Sequence, residues 1–110
     1  MNHYIIVTTT TDNKEDAEKI ARFLVKKRLA ACVQIAGPVA SIYRWKGKVE
    51  TDREWQCIIK SRQDFFDKIA EAVKSIHPYE TPEIIAVPVV AGSRDYLDWM
   101  NDEMPVSYET

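Results

Sequence analysis

The sequence predicts a single α+β domain that packs two long helices against a sheet of four strands. Two observations carry this prediction. Apolar residues recur at helical spacing in two separate segments, and the segments around them are rich in β-branched and aromatic residues. The length of 110 residues is sufficient for one hydrophobic core and too short for two. We therefore expect one domain spanning residues 1–110.

The amino-terminal part is predicted to form a strand followed by a helix. Residues 4–10 are aromatic and β-branched, and their consecutive apolar side chains indicate a strand that is covered on both faces. Asp12 and Glu15 have the spacing of a capping box, so the first helix should begin there. Its apolar stripe predicts about four turns, ending near Arg28.

A long hairpin is predicted next. Its first arm ends at Trp45 and is interrupted by Gly37-Pro38, which indicates a bulge or kink. Lys46-Gly47 is a hairpin turn signal, and residues 49–61 form the return strand. Each arm is longer than the five or six residues of an ordinary strand. The ends of the arms must therefore protrude from the domain or pair with something else.

A second amphipathic helix follows the hairpin. Ser61 and Asp64 have the spacing of a helix cap, and an apolar stripe of Phe, Ile and Val residues begins just after them. The helix should stop at His77, because the residue that precedes a proline is biased out of the helical conformation and Pro78 comes next.

The carboxyl-terminal part completes the order of elements. Residues 84–90 predict a strand, and Pro88 places it at a sheet edge, because proline lacks the amide donor of a central strand. A short helix should follow at residues 94–102. The order βαββαβ plus a short C-terminal helix is that of the ferredoxin-like split βαβ sandwich. Right-handed crossovers put both long helices on one face of the sheet and leave the other face uncovered.

The uncovered face should be apolar. The first, third and fourth strands carry apolar residues on both faces, which are Ile5 and Val7 against Tyr4 and Ile6, Ile58 against Cys57 and Ile59, and Val87 and Val89 against Ala86 and Pro88. A monomer would then expose an apolar patch beyond the few hundred Å² that is usual for soluble proteins. We therefore expect a homo-oligomer that buries this face, with the long hairpin pairing along a neighbour's sheet edge.

Five segments resemble a known family in order and in spacing. They are residues 30–33, 41–47, 54–60, 77–84 and 96–99. These segments resemble the CutA1 divalent-cation-tolerance proteins, and the resemblance extends over nearly the whole chain. The resemblance implies a ferredoxin-like fold and a homotrimer similar in build to the PII signalling proteins. It also implies a link to copper tolerance, without an established enzymatic activity.

The amino-acid composition indicates which binding partners and which cellular compartment to expect. The formal net charge of −2 gives no electrostatic reason to expect nucleic acid or an anionic membrane as a partner. Cys32 and Cys57 lack CxxC spacing, and unpaired cysteines in a chain of this size are typical of a reducing compartment. The first residues are predicted to run directly into a strand, so we expect no signal peptide. We expect a cytoplasmic protein with no nucleic-acid and no membrane partner.

The segment before the last strand is the main candidate site. Pro78 and Pro82 stiffen it, and it places His77, Tyr79, Glu80 and Glu83 within seven positions. We expect the segment to form a wall of an inter-subunit cleft, with the Tyr79 ring buried against a neighbouring chain. Glu80 or Glu83 should face a basic group such as Lys60. The predicted ligand-binding residues are Lys60, Tyr79, Glu80 and Glu83.

Metal binding is expected to be weak. Some members of the CutA1 family carry a cysteine in the first strand and a His-His pair before the proline, where this sequence has Thr9 and Ile76. His77 therefore remains as the principal candidate ligand, with Cys32 as a second, and copper or another divalent cation as the ion. The alternative interpretation is that the cysteines are small buried hydrophobes and that His77 interacts with the last carbonyls of its helix.

Two function classes remain open from the sequence. The first, which we favour, is a trimeric, PII-like binding or regulatory protein with a metal or small ligand in inter-subunit clefts. The second is a small enzyme with a Cys/His or Glu-based site in the same cleft. No GxSxG motif and no glycine-rich phosphate loop supports catalysis.

Overall fold

The computed structural model describes residues 3–105 and has the predicted α+β, ferredoxin-like architecture. Its elements are β1 (Tyr4–Thr11), α1 (Lys14–Lys26), β2 (Cys32–Trp45), β3 (Lys48–Arg62), α2 (Phe66–Ile76), β4 (Ile85–Pro88) and α3 (Arg94–Glu103). The sheet has the strand order β2-β3-β1-β4 with antiparallel neighbours, so β4 is an edge strand as predicted. No helix within residues 3–105 combines the length and the apolar character needed to cross a membrane.

The first helix begins one residue later than the predicted capping box. Asn13 is the N-cap, and its side-chain Oδ1 accepts a hydrogen bond from the Asp16 amide at 2.7 Å. Asp12 instead accepts a hydrogen bond from the Asn13 side-chain amide. The prediction of Asp12 as the cap was wrong, because Asn13 supplies an equally good cap and β1 extends to Thr11.

The hairpin has the predicted turn and the predicted irregularity. Lys46 and Gly47 both have positive φ, at 50° and 81°, which is the conformation that closes a two-residue hairpin. The β2–β3 register shifts between Ala36 and Val39. Within that shift Gly37 lies against Trp55, where an added Cβ would come within 2.8 Å of the indole. A side chain larger than hydrogen at position 37 therefore requires the indole to move.

The second helix does not begin with the predicted cap. β3 continues to Arg62, a 3-10 turn covers Gln63–Phe65, and the α-helix starts at Phe66. The Ser61 hydroxyl donates to the Leu29 carbonyl at 2.7 Å, and Asp64 binds the Arg62 guanidinium at 3.0 Å. Ser61 is engaged in a contact with a distant segment and Asp64 in a local one, and neither side chain caps the helix. The helix ends at Ile76, as the following proline predicts.

The two faces of the sheet differ in burial. Ile5, Val7, Cys57 and Ile59 point towards the long helices and belong to the hydrophobic core. Their neighbours Ile6 and Ile58 point away from the helices and are only half-buried. We call this second side the open face. Its edge strand β4 exposes 56% of Ile85 and 50% of Val87.

A buried arginine joins the end of β3 to α3. Arg62 is 2% exposed and binds the Asp64 carboxylate with two nitrogens, at 3.0 and 3.2 Å. A third nitrogen reaches the Asn101 side chain at 2.7 Å and the Met104 carbonyl at 2.9 Å. The guanidinium also lies over the Phe65 ring. This buried set of bonds, which we call the Arg62 node, fixes the last helix against the sheet.

Candidate functional site

A cleft of about 700 Å³ lies between the hairpin and the segment that joins α2 to β4. We call that segment, residues 77–84, the proline connector. Residues from the end of β1, from both hairpin arms and from the proline connector line the cleft: Thr10, Asp12, Ser41, Ile42, Tyr43, Trp45, Asp52, Arg53, Glu54, Tyr79, Glu80, Thr81 and Glu83. Its volume is in the range of small-molecule sites.

His77 attaches the proline connector to the sheet. It is buried, and its Nε2 lies 2.7 Å from the Thr10 carbonyl oxygen, while its Nδ1 accepts a hydrogen bond from the Tyr79 amide at 3.1 Å. A carbonyl can only accept and an amide can only donate, so Nε2 carries the proton and Nδ1 is bare. The ring is therefore neutral, and both nitrogens have protein partners.

Tyr79 joins the proline connector to the hairpin. Its hydroxyl donates to Glu54 Oε2 at 2.8 Å, and its ring is tilted against the His77 imidazole. Burial and the hydrogen bond to Glu54 raise the pKa of Tyr79 well above its usual value, so the phenol stays protonated. Glu54 itself is only 7% exposed. The cleft therefore contains a carboxylate that is nearly removed from water.

A second phenol–carboxylate pair lies nearer the tip of the hairpin. The Tyr43 hydroxyl is hydrogen-bonded to Asp52 Oδ2, with both side chains exposed. That hydrogen bond, more than the nearby negative charges, raises the pKa of Tyr43 to about 12. Because Asp52 and Glu54 are two positions apart on β3, they project from the same face of the strand. The two pairs therefore lie side by side along the cleft.

The cleft is acidic. Glu83 accepts a hydrogen bond from the Thr8 hydroxyl at 2.8 Å, and Glu80 is exposed at the rim. Five carboxylates line the cleft against one basic residue, Arg53. The Arg53 guanidinium lies 5.8 Å from the centre of the Trp55 ring. Such an excess of negative charge favours a cationic ligand.

The structure brings together three of the four predicted ligand residues. Tyr79, Glu80 and Glu83 line the cleft, whereas Lys60 does not. Lys60 pairs with Cys32 across the β2–β3 ladder, and its ammonium group lies 5.7 Å from the centre of the Tyr96 ring. Within one chain the strand register places Lys60 farther along the sheet than Glu80 and Glu83, so the expected contact in an inter-subunit cleft stays a prediction.

The predicted metal ligands are separated as well. His77 lies under the proline connector with both nitrogens engaged, and Cys32 is a half-buried residue of the outer strand β2. Cys57 is buried in the core, where its thiol donates to the Ala17 carbonyl and desolvation raises its pKa to about 11. Among residues 3–105, no three His, Cys, Asp or Glu side chains are grouped closely enough to hold a metal ion.

Sequence reasoning missed the hairpin's part of the site. Tyr43, Asp52 and Glu54 were not predicted as ligand residues, although they supply one phenol–carboxylate pair and the carboxylate of the other. The alternation of β3 places Glu54 on the same face as Gln56, Ile58 and Lys60, a mixed face on which a charged residue is ordinary, so no signal for it was present in the sequence. Its proximity to Tyr79 depends on how the chain folds and is not visible in the sequence.

Comparison with known proteins agrees with the fold. The family model for the CutA1 divalent ion tolerance protein matches residues 5–103. The chain belongs to the CutA1 family. The divalent-cation tolerance protein CutA of Thermus thermophilus is 45% identical over 97 residues, covering 88% of this chain and 94% of that protein. The chloroplastic protein CutA of Arabidopsis thaliana is 42% identical over 98 residues, covering 89% of this chain and 54% of that protein.

Solved structures of CutA1 proteins superpose closely on this chain. The protein from Thermus thermophilus has a TM-score of 0.90 at 43% identity and covers 93% of this chain and 99% of its own. The protein from Oryza sativa has a TM-score of 0.92 at 40% identity, covering 96% of each chain. The ferredoxin-like fold predicted from the order of elements is thus confirmed in this CutA1 member.

Proposed function

We propose that this CutA1 protein is a homotrimeric, PII-like binding protein of divalent-cation tolerance, which holds a cationic ligand in the cleft beside the proline connector. The observation that carries the proposal is the lining of five carboxylates against one arginine. The family model and the relative from Thermus thermophilus are named for tolerance of divalent ions. We place the function in the cytoplasm and without nucleic-acid or membrane partners, although one relative is named chloroplastic and another, from Archaeoglobus fulgidus, periplasmic.

A divalent cation should bind weakly. The cleft offers hard carboxylate oxygens, which suit ions such as Mn²⁺ better than soft Cu(I). Copper binding through His77 and Cys32, the pair expected from the sequence, requires His77 to give up its bond with the Tyr79 amide or the Thr10 carbonyl. Copper or another divalent cation therefore remains a weakly held ligand in this proposal.

Calorimetry tests where the cation binds. We expect Mn²⁺ and Cu²⁺ to bind wild type weakly and to bind the double variant Glu80→Gln, Glu83→Gln less well. Glu71→Gln, at an exposed carboxylate of α2, is the matched control and should leave binding unchanged. If His77→Ala alone abolishes Cu²⁺ binding while the cleft variant does not, the site is at the histidine and the cleft assignment is wrong.

The trimer is proposed from surfaces that one chain leaves uncovered. Ile85 and Val87 are about half-exposed on the edge strand, and at the far end of the hairpin Ile42 is 71% and Val49 64% exposed. Apolar groups on a free sheet edge and on a protruding hairpin are typical of surfaces that pair with other chains. Sedimentation equilibrium should give three times the 12.7 kDa mass of one chain, and a stable folded monomer would contradict the proposal.

The protonation of the candidate nucleophiles supports a binding function rather than catalysis. The Cys57 thiol is buried with a raised pKa, and the two cleft phenols, Tyr43 and Tyr79, also have raised pKa values. All three groups are therefore protonated near neutral pH and poorly nucleophilic. His77 uses both nitrogens for backbone contacts and is not paired with a cysteine. A Cys/His enzyme, the alternative from the sequence, gains no support from this arrangement.

A further inference from the structure

A second cavity, of about 350 Å³, lies between the end of α1 and the last helix, α3. We call it the α1–α3 pocket. Val25 and Trp99 contribute apolar side chains to it and are 43% and 42% exposed. The lining contains no residue of any strand, so the pocket is separate from the open face, the edge strand and the hairpin, which we assign to contacts between copies of the chain.

The α1–α3 pocket has an excess of positive charge. Lys26 and Arg28 line it together with one acidic residue, Glu103. Among residues 3–105, none of these three side chains forms an ion pair. The Arg28 guanidinium donates a hydrogen bond to the Glu103 backbone carbonyl at 3.1 Å, which holds it beside α3 while its remaining N–H groups stay available. The charge of the pocket therefore favours an anionic ligand.

The basic residues are not needed to complete the end of α1. Basic side chains near the end of a helix often bind its last carbonyls. Here backbone amides bind them: the Arg28 amide donates to the Val25 carbonyl at 3.0 Å, and the Leu29 amide donates to the Leu24 carbonyl at 2.9 Å. The positive charges of Lys26 and Arg28 are thus available to a ligand.

Arg28 has a backbone conformation that usually belongs to glycine. Its φ is 61°, in the left-handed region, at the position just after the C-cap Lys27. Glycine would close the helix end with less strain, because it has no Cβ to approach the neighbouring carbonyl. Non-glycine residues held in this region are found preferentially at functional sites. This strain indicates a role for the Arg28 side chain beyond the turn.

We propose that the α1–α3 pocket binds a small aromatic carboxylate, with its ring against the Trp99 indole and its carboxylate at Arg28 and Lys26. A flat ring covers the exposed apolar surface of Trp99 and Val25, and a guanidinium forms charge-assisted hydrogen bonds with a carboxylate. Two basic residues against one acidic residue match a single negative charge better than a doubly charged phosphate. The volume of about 350 Å³ is near the lower end of the range for small-molecule sites.

Titration of the intact protein with phenylacetate, followed by NMR at the Trp99 indole N–H, tests the proposal. Loss of one resonance in Trp99→Phe identifies the signal. We expect phenylacetate to shift it to saturation. Phenylacetamide, which lacks the charge, and acetate, which lacks the ring, should bind about fivefold or more weakly.

The variant Arg28→Gly separates binding from folding. It should weaken phenylacetate binding by about fivefold, while its unfolding temperature stays at or above that of wild type because glycine relieves the left-handed strain. Arg22→Ala, at an exposed arginine of α1 outside the pocket lining, is the matched control and should leave binding unchanged.

Three results would overturn the proposal. They are equal affinities for phenylacetate and phenylacetamide, unchanged phenylacetate binding in Arg28→Gly, and no shift with any of the three compounds, as when another copy of the chain covers the pocket. The inference is independent of the proposed function, because the pocket and the acidic cleft share no residue. If Mn²⁺ binds in the cleft and phenylacetate does not bind, the proposed function stands and the inference fails.

Discussion

The Arg62 node and the cleft each contain a buried charged group, and the two groups differ in the partners that the chain provides for them. Arg62 is almost fully enclosed and binds a carboxylate, an amide oxygen and a carbonyl, all supplied by its own chain. Glu54 is nearly as buried but is reached by one neutral phenol and faces a cleft. A charge whose partners are all internal stabilises the fold. A buried charge without a counter-ion among residues 3–105 lowers stability, and the proposed function assigns a cationic ligand to its cleft.

Removing Arg62 should have the largest effect. We expect Arg62→Ala to reduce the free energy of unfolding by about 3 kcal/mol, because it removes the hydrogen bonds of a buried guanidinium and leaves the Met104 carbonyl without its donor. Thermal unfolding at one fixed protein concentration measures the change. The matched control is Arg53→Ala, an exposed arginine on the same strand, which should change stability little. Equal effects of the two substitutions would show that the Arg62 node does not have the structural role assigned to it.

Releasing the proline connector should have an intermediate effect. His77→Ala removes the bonds to the Thr10 carbonyl and the Tyr79 amide, and we expect it to reduce the free energy of unfolding by about 2 kcal/mol. Hydrogen exchange should report the change locally, at the Tyr79 amide, before the core opens. His3→Ala, at an exposed histidine, is the control. An unchanged exchange rate at Tyr79 would show that His77 does not hold the connector.

The Thr9 hydroxyl, a buried polar group that faces the core, can be compared with the buried carboxylate of Glu54. The Thr9 hydroxyl is fully buried, and among residues 3–105 it has no hydrogen-bond partner. Unlike Glu54, Thr9 does not line the cleft, so we assign it no ligand. We expect Thr9→Val to raise the free energy of unfolding by about 1 kcal/mol without changing cation binding. A loss of stability with Val, but not with Ser, would show that the hydroxyl does have a partner.

The smallest expected effect is the contribution of Asp64 to stability at acid pH. Hydrogen bonds from the Arg62 guanidinium lower the pKa of Asp64 below the usual value. A depressed pKa in the folded state means that the contribution to stability is present above the unfolded pKa and is lost as the pH falls towards the folded pKa. Carboxylates titrate between about pH 5 and pH 2. Over this range we expect the unfolding temperature of Asp64→Asn to change less with pH than that of wild type. An unaltered pH slope would contradict this.

Much of the fold was predictable because its signals are local. The spacing of apolar residues in α1, the Lys46-Gly47 turn, the proline that ends α2 and the proline of the edge strand each act over a few residues. The errors were local as well. Asn13 rather than Asp12 caps α1, and β3 runs past the expected cap at Ser61. Equivalent capping residues compete at such ends, and tertiary contacts decide between them.

The candidate site was predictable only in part. The proline connector was recognised because prolines, a histidine and carboxylates within one short segment are visible in the sequence. Its partners Glu54 and Thr10 were not, because they lie 25 and 67 positions away from the residues that they contact. Lys60 does not line the cleft within one chain, since the ladder register sets its position along the sheet.

The sequence by itself therefore determined the order of the elements, the edge position of β4 and the stiffness of the proline connector. These follow from backbone restrictions and from the periodicity of side chains, which each segment carries with it. The tertiary structure alone decided which buried charge is satisfied. The chain folds so that Arg62 meets Asp64, Asn101 and the end of α3, whereas Glu54 meets a phenol and an open cleft. Contacts between distant segments depend on strand register and packing, and these are properties of the whole fold.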